Sequence, residues 1–231
     1  MPHRIVERIS KEEVNSLPIL SFDGPIHLIR TDDDLPPALE ELASHSVLGF
    51  DTESRPVFHS NQRSNGPALL QLATETQAWL FQLKRLNHLE ALFEILANPR
   101  ILKVGVAPHD DIKGLQGIHP FEEASFIDLS KIATSLGIVT TGLRNLTAMF
   151  LKRRLSKGAQ VSNWELENLS NGQKLYAATD AWISLRLYQE LIHVKALQDA
   201  QAPAINDGLI EDEDLNSPPL SDAEENSPTC A

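Results

Sequence analysis

The chain has 231 residues, 42% of them hydrophobic, with 32 acidic against 20 basic side chains and a formal net charge of −12. That length holds one ordinary α/β domain plus a tail, and no apolar run is long enough to span a bilayer. The single cysteine, Cys230, excludes an internal disulfide and a Cys-based metal site. The charge is uneven. Residues 201–231 carry eight acids and no Lys or Arg, so 24 acids face all 20 bases over residues 1–200, a net of −4. A mildly acidic body speaks against a plain electrostatic binder of nucleic acid. It does not speak against a protein whose acids are neutralised by divalent metal. The opening MPHRIVERISKEE has no apolar h-region, so no secretory signal is expected, and a reducing cytoplasm suits the cysteine usage.

In chain order, residues 1–25 read as a polar N-terminal extension with few periodic signals. The run from His27 to Arg30 suggests an edge strand, and Thr31 to Asp34 offers N-cap chemistry for a helix from Leu35 to Ala43, with Pro36 and Pro37 tolerated in its first turn. Val47 to Phe50 is a strand ending in Asp51. Ala68 to Ala73 and Ala78 to Leu83 read as an antiparallel hairpin about a polar turn. Leu86, Leu89, Leu92, Phe93 and Leu96 recur at helical spacing up to Asn98-Pro99. Strand signals return at Ile101 to Val106 and Phe126 to Asp128, with a helical turn between them at Asp111 to Gln116 and a helix from Leu129 to Leu136 after them. The last third is helical: Leu143 to Leu151, then Gly172 to Leu197 with Leu175, Ala178, Trp182, Leu185, Tyr188 and Ile192 on one stripe. The acidic residues 199–231, with Pro and Ser and few bulky apolar groups, predict a disordered tail. Strands interleaved with helices give an α/β domain over residues 26–198, a mixed five-stranded sheet flanked by helices.

Four fragments carry chemistry. In Phe50-Asp51-Thr52-Glu53, residues two apart on a strand face the same way, so Asp51 and Glu53 converge and repel unless a cation lies between them. In the stretch from Val104 to Leu115, a strand runs through Gly105 and Pro108 into a helix start with Asp110 and Asp111. In Tyr176-Ala177-Ala178-Thr179-Asp180, positions i and i+4 bring a phenol and a carboxylate to one helix face. Lys152, Arg153, Arg154 and Lys157 form the densest basic run. Singly, each has a plainer reading: a solvated strand end, a helix cap that suits the dipole, a chance helical pair, a solvated charged face. In order, they describe acids gathered at strand ends, where α/β sheets usually place their sites.

The order Asp-Thr-Glu, then Asp, then Tyr-x-x-x-Asp resembles the DEDD exonuclease superfamily in its tyrosine subclass, and within it the Werner-type 3′–5′ exonuclease and ribonuclease D catalytic domains. The matching stretches are Gly49 to Glu53, Ala68 to Leu72, Lys103 to Gly105, Asp111 with Leu115, and Leu169 with Gln173 and Tyr176 to Ala181. The histidine subclass would need His at position 175, which is Leu175.

The resemblance implies a ribonuclease H-like fold and catalytic Asp51, Glu53, Asp111, Tyr176 and Asp180, with Asp110 an alternative to Asp111. It implies two Mg²⁺ or Mn²⁺ ions roughly 3.5–4 Å apart, held by Asp51, Glu53, Asp111 and Asp180. Oxygen-only ligands suit such hard cations. The expected activity is 3′–5′ removal of nucleoside 5′-monophosphates from single-stranded or 3′-ended DNA or RNA. Lys152, Arg153, Arg154 and Lys157 would track phosphates, with Arg55 and the polar loop 59–66 as further candidates, while Trp164 suits either core packing or base stacking. The helical nucleic-acid-binding domains often attached to such domains have no counterpart in this sequence, so a protein partner is expected to supply targeting. The competing readings are a catalytically inactive binding or scaffolding module on the same fold, and an endonuclease.

Overall fold

The strand β3, Pro67–Ala73, is buried at every residue, which is why it reads as a nearly unbroken apolar run rather than an alternating one. It lies inside a six-stranded sheet of order β1-β4-β3-β2-β5-β6, built from β1 (Ile26–Ile29), β2 (Val47–Ser54), β3, β4 (Ala78–Gln82), β5 (Leu102–Gly105) and β6 (Phe126–Asp128). The computed structural model describes residues 7–56 and 66–201. The loop 59–65 and the acidic tail from 202 lie outside the described residues, as does Cys230.

β3 pairs antiparallel with both β2 and β4, and the outer pairs β1–β4, β2–β5 and β5–β6 are parallel. The expected hairpin is therefore present inside a mixed sheet. The sheet has one strand more than the five expected, because the apolar run after Pro25 joins β4 as a parallel edge strand.

Each face of the sheet carries its own core. On one face, Leu48, Phe50, Leu70, Leu72, Trp79 and Phe81 meet α2 (Leu35–Ala43) and α3 (Glu90–Ala97). The fully buried Leu115 of α4 (His109–Gln116) joins that side. On the other face, Leu69, Ala73, Leu80 and Val104 meet α5 (Leu129–Ser135), α6 (Leu143–Leu151) and the 31-residue α7 (Asn171–Gln201). α6 has the bounds its sequence pattern predicts.

Two expectations change. Residues 10–22 do not trail away: Ser10 and Glu13 form a capping box that starts α1 (Lys11–Ser16), and Val14 and Phe22 are buried. The stripe expected along α7 is not its buried face either. Every residue from Ala177 to Leu185 is buried, whereas Leu175 and Ile192 are 38% and 41% exposed. The helix passes through the protein with neighbours all round, so apolarity there is set by depth and not by helical period. Among the described residues, no helix is long and apolar enough to cross a membrane.

Candidate active site

Asp51 and Glu53 stand on one face of β2, opposite Gln71 and Leu69 of β3. The face is the one that α7 covers. Close approach is possible because position 49 has no side chain: a Cβ on Gly49 would lie 2.0 Å from the carbonyl oxygen of Ala181. α7 is started by a second capping box, in which Ser170 N–H donates to Gln173 Oε1 (3.0 Å) and Gln173 N–H to Ser170 Oγ (3.2 Å). Gln173 Nε2 also donates to Ser162 Oγ and to the Asn163 carbonyl, both at 3.2 Å, tying the helix start to the preceding loop. Further along, Trp182 Nε1 donates to the Glu75 carbonyl at 3.1 Å, and Phe22 N–H to Thr179 Oγ1 at 3.0 Å. So docked, α7 delivers Asp180 to the two strand acids: one carboxylate oxygen from each of Asp51, Glu53 and Asp180 lies within 4.8 Å of the others.

Asp111 reaches the same place from the other side. It accepts a short hydrogen bond from the Thr52 hydroxyl, on the face of β2 opposite to Asp51 and Glu53. Its charge still bears on both acids, so it flanks the tight trio without joining it. Asp110 is exposed, so Asp111 is the one of the pair turned to the cluster. The loop feeding α4 is held in a constrained shape. Ala107 adopts a left-handed φ of 52°, and its N–H donates to Asp128 Oδ1 at 2.9 Å. The same oxygen accepts from Ser130 N–H at 2.9 Å, capping α5.

Like charges in a dry place resist ionisation. Burial first, then the charges of Asp180, Glu53 and Asp111, push Asp51 well above the usual carboxylate range. Burial, then Asp180 and Asp111, push Glu53 to about 8. Burial likewise raises Asp180, against a hydrogen bond from Tyr176. The Tyr176 phenol is held above its ordinary value by burial and by Asp180, Glu53 and Asp51, so it stays protonated and can donate. Three hard oxygen donors whose mutual repulsion a divalent cation would relieve are a fitting site for Mg²⁺ or Mn²⁺.

Around the acids, a cavity of about 590 Å³ opens on Tyr176 and Asp180, walled by Ile19, Leu20, Leu155 and Leu175 among others. Of the basic run, Lys152 Nζ donates to the Met149 carbonyl (2.8 Å) and Arg154 Nε to the Leu17 carbonyl (2.8 Å). Both side chains thus brace the fold, while Arg153 and Lys157 are exposed, Lys157 between the cavity residues Ser156 and Gly158. Trp164 is 1% exposed with its ring 6.0 Å from that of Tyr176, a core position that also backs the phenol. Arg55 is exposed and pairs with Glu165 at 3.4 Å.

Several neighbours lie within the matching stretches, but their sequence pattern assigns them no role at the site. Strand alternation turns Thr52 away from Asp51 and Glu53, so its hold on Asp111 is not legible locally. Ser170-x-x-Gln173 was legible as a capping box. Gln71, fully buried across from Asp51 with neither amide atom paired among the described residues, is signalled by one polar residue in the run Ala68 to Ala73.

Residues 26–194 match the family model described as 3′-5′ exonuclease. The chain belongs to this 3′–5′ exonuclease family. Among curated proteins, the family member is 30% identical over 186 residues to the mouse bifunctional 3′-5′ exonuclease/ATP-dependent helicase WRN, covering 77% of this chain and 13% of that protein. It is 36% identical over 163 residues to the exonuclease 3′-5′ domain-containing protein 2 of Drosophila melanogaster, covering 66% and 27%. It thus spans under a third of the length of either relative. Among solved structures, the Nibbler EXO domain of Aedes aegypti superposes with a TM-score of 0.70 at 24% identity, over 79% of this chain and 94% of that one. RNase D of Escherichia coli gives 0.68 at 21%, over 76% and 46%. These likenesses establish the ribonuclease H-like exonuclease fold that the motifs imply.

Proposed function

We propose that this exonuclease domain hydrolyses the terminal phosphodiester at the 3′ end of DNA or RNA and releases nucleoside 5′-monophosphates. The observation that carries this reading is the convergence of Asp51, Glu53 and Asp180 within 4.8 Å beside a protonated Tyr176. These three acids would hold one divalent cation, and Asp51 with Asp111 a second. When bound, the ions would supply Lewis-acid stabilisation of charge on the phosphate oxygens and ease deprotonation of water.

The chain's own groups do the positioning. Tyr176, a neutral donor fixed by its bond to Asp180 and backed by Trp164, orients the attacking water towards the terminal phosphorus. The new P–O bond forms as the bond to the 3′ oxygen breaks, and that oxygen takes up a proton to become the new 3′ hydroxyl. The apolar cavity beside Tyr176 and Asp180 receives the terminal nucleoside, with Ile19, Leu155 and Leu175 against its sugar and base.

The test is a 3′-labelled single strand, offered as matched DNA and RNA, with Mg²⁺ or Mn²⁺ and the wild type or Asp51→Asn. Wild type releases labelled mononucleotide, and the variant loses activity by about 10²–10³-fold, the scale of one lost electrostatic contact to the transition state. Equal activity in Asp51→Asn overturns the assignment.

A further inference from the structure

Apart from the cavity on Tyr176 and Asp180, a depression of about 350 Å³ is walled by Arg30, Gln82, Lys84, Arg85, Trp164 and Glu165 among others. Its cations come from distant parts of the chain. Arg30 follows β1, Lys84 and Arg85 form the 3-10 turn after β4, and Arg55, at the end of β2, reaches Glu165 from outside. Glu165 holds Lys84 as well as Arg55, and Arg85 pairs with Glu167 at 3.4 Å. Among the described residues, the cleft wall holds three cations, Arg30, Lys84 and Arg85, against the single carboxylate of Glu165, in a chain whose net charge is −12. The cations lie at the surface, with Lys84 46% and Arg85 35% exposed, and ion pairs with such exposed partners contribute little, so both side chains can turn to a better anion. A polar concavity with an excess of one sign of charge focuses potential on its contents.

Two wall residues add unused hydrogen-bonding capacity. Gln82, 4% exposed, donates its amide protons to the Leu166 carbonyl at 2.9 Å and the Glu167 carbonyl at 3.4 Å. That fixes which end of the amide is which, and its Oε1 has no partner among the described residues. The Trp164 indole N–H, on a residue 1% exposed, is unpaired in the same way. The cleft also adjoins the acid cluster: Trp164 packs on Tyr176, Arg55 lies two residues past Glu53, and the wall residue Ala68 is next to Leu69, the cross-strand partner of Glu53.

We propose that this cleft is a phosphate subsite, in which Lys84 and Arg85 hold the backbone of the substrate strand upstream of the scissile bond. The inference rests on the exonuclease reading and extends it: the cavity takes the last nucleoside, and the cleft takes a phosphate further back. A strand too short to reach the cleft gains nothing from it.

The decisive variant is K84A/R85A in the full chain, with K84R/R85K as the partner that keeps both charges. Binding of a fluorescent single-stranded oligonucleotide is followed by anisotropy in chelator over a range of salt. Turnover is followed on the same strand and on the p-nitrophenyl ester of a nucleoside 5′-monophosphate. The alanine pair is expected to weaken strand binding about tenfold and lower the salt slope by about one to two. It should leave turnover of the mononucleotide ester unchanged, and the charge-keeping pair should behave as wild type. Wild-type strand affinity and salt slope in K84A/R85A overturn the subsite. A nucleoside monophosphate that displaces the strand from wild type but not from the variant would assign the cleft to free nucleotide and overturn the strand assignment. A wild type that cleaves neither substrate defeats the exonuclease reading, while the anisotropy still decides the cleft.

Discussion

Asp51 and Glu53 stand on a strand bonded to β3 from Gly49 to Ser54, whereas Tyr176 and Asp180 stand on a helix that reaches the sheet by packing and a few side-chain hydrogen bonds. The spacing of the strand pair is set by backbone geometry. The position of the helix pair depends on how closely α7 can settle, and so on residues that carry no chemistry. One half of the site is therefore robust to changes in its surroundings, and the other is exposed to any change in the packing beneath it.

Gly49→Ala breaks that arrangement most severely. Its new Cβ would sit 2.0 Å from the Ala181 carbonyl oxygen, so α7 must lift. We expect a loss of about 1–3 kcal/mol in stability with activity down ~100-fold from misplacement alone, read by denaturant melts and by release of 3′ label. Tyr176→Phe tests the helix half with its docking preserved: kcat should fall about 100-fold at unchanged KM and melting temperature. Thr52→Val tests the flank of the strand half. With Asp111 no longer held, apparent affinity for Mg²⁺ should weaken about tenfold, and saturating metal should restore turnover.

The last prediction is a pH dependence of the metal-free protein, read in stability and not in turnover. Glu53 titrates near 4.5 when unconstrained and at about 8 in the fold. Across that interval the folded state holds a proton that the unfolded chain lacks, so stability falls as pH rises. Melting temperature in chelator should decline between about pH 4.5 and 8, and Mg²⁺ should flatten the decline. A melting temperature that rises over this window in chelator would contradict the raised carboxylates that burial and then like charge produce.

The strand half of the site was legible because period-two alternation is a local rule: Asp51 and Glu53 could be paired on paper. The tyrosine subclass followed from Tyr176 and Leu175 through the family pattern. What stayed hidden was long-range. The placement of α7 through Gly49, the burial of all sides of Ala177 to Leu185, and the docking of residues 10–22 depend on neighbours far away in the chain. Charge shows the same divide. Lys152 to Lys157 are conspicuous because they are contiguous, yet two of their side chains brace backbone carbonyls. Arg30, Arg55, Lys84 and Arg85 are scattered through the sequence and become a cluster only when β1, β2 and β4 come together.

The segment ahead of β1 bears on where this domain can be cut. Leu20 N–H donates to the Arg154 carbonyl at 2.9 Å and Arg154 N–H to the Pro18 carbonyl at 3.0 Å. Phe22 packs its ring 5.6 Å from that of Trp182, and Ile19 and Leu20 wall the cavity. A fragment trimmed to the family match at residue 26 would strip the indole of Trp182 of its aromatic neighbour Phe22 and take one side off the cavity beside Tyr176 and Asp180. A minimal version for crystallisation or inhibitor screening therefore has to begin upstream of Ser10, where the capping box starts α1.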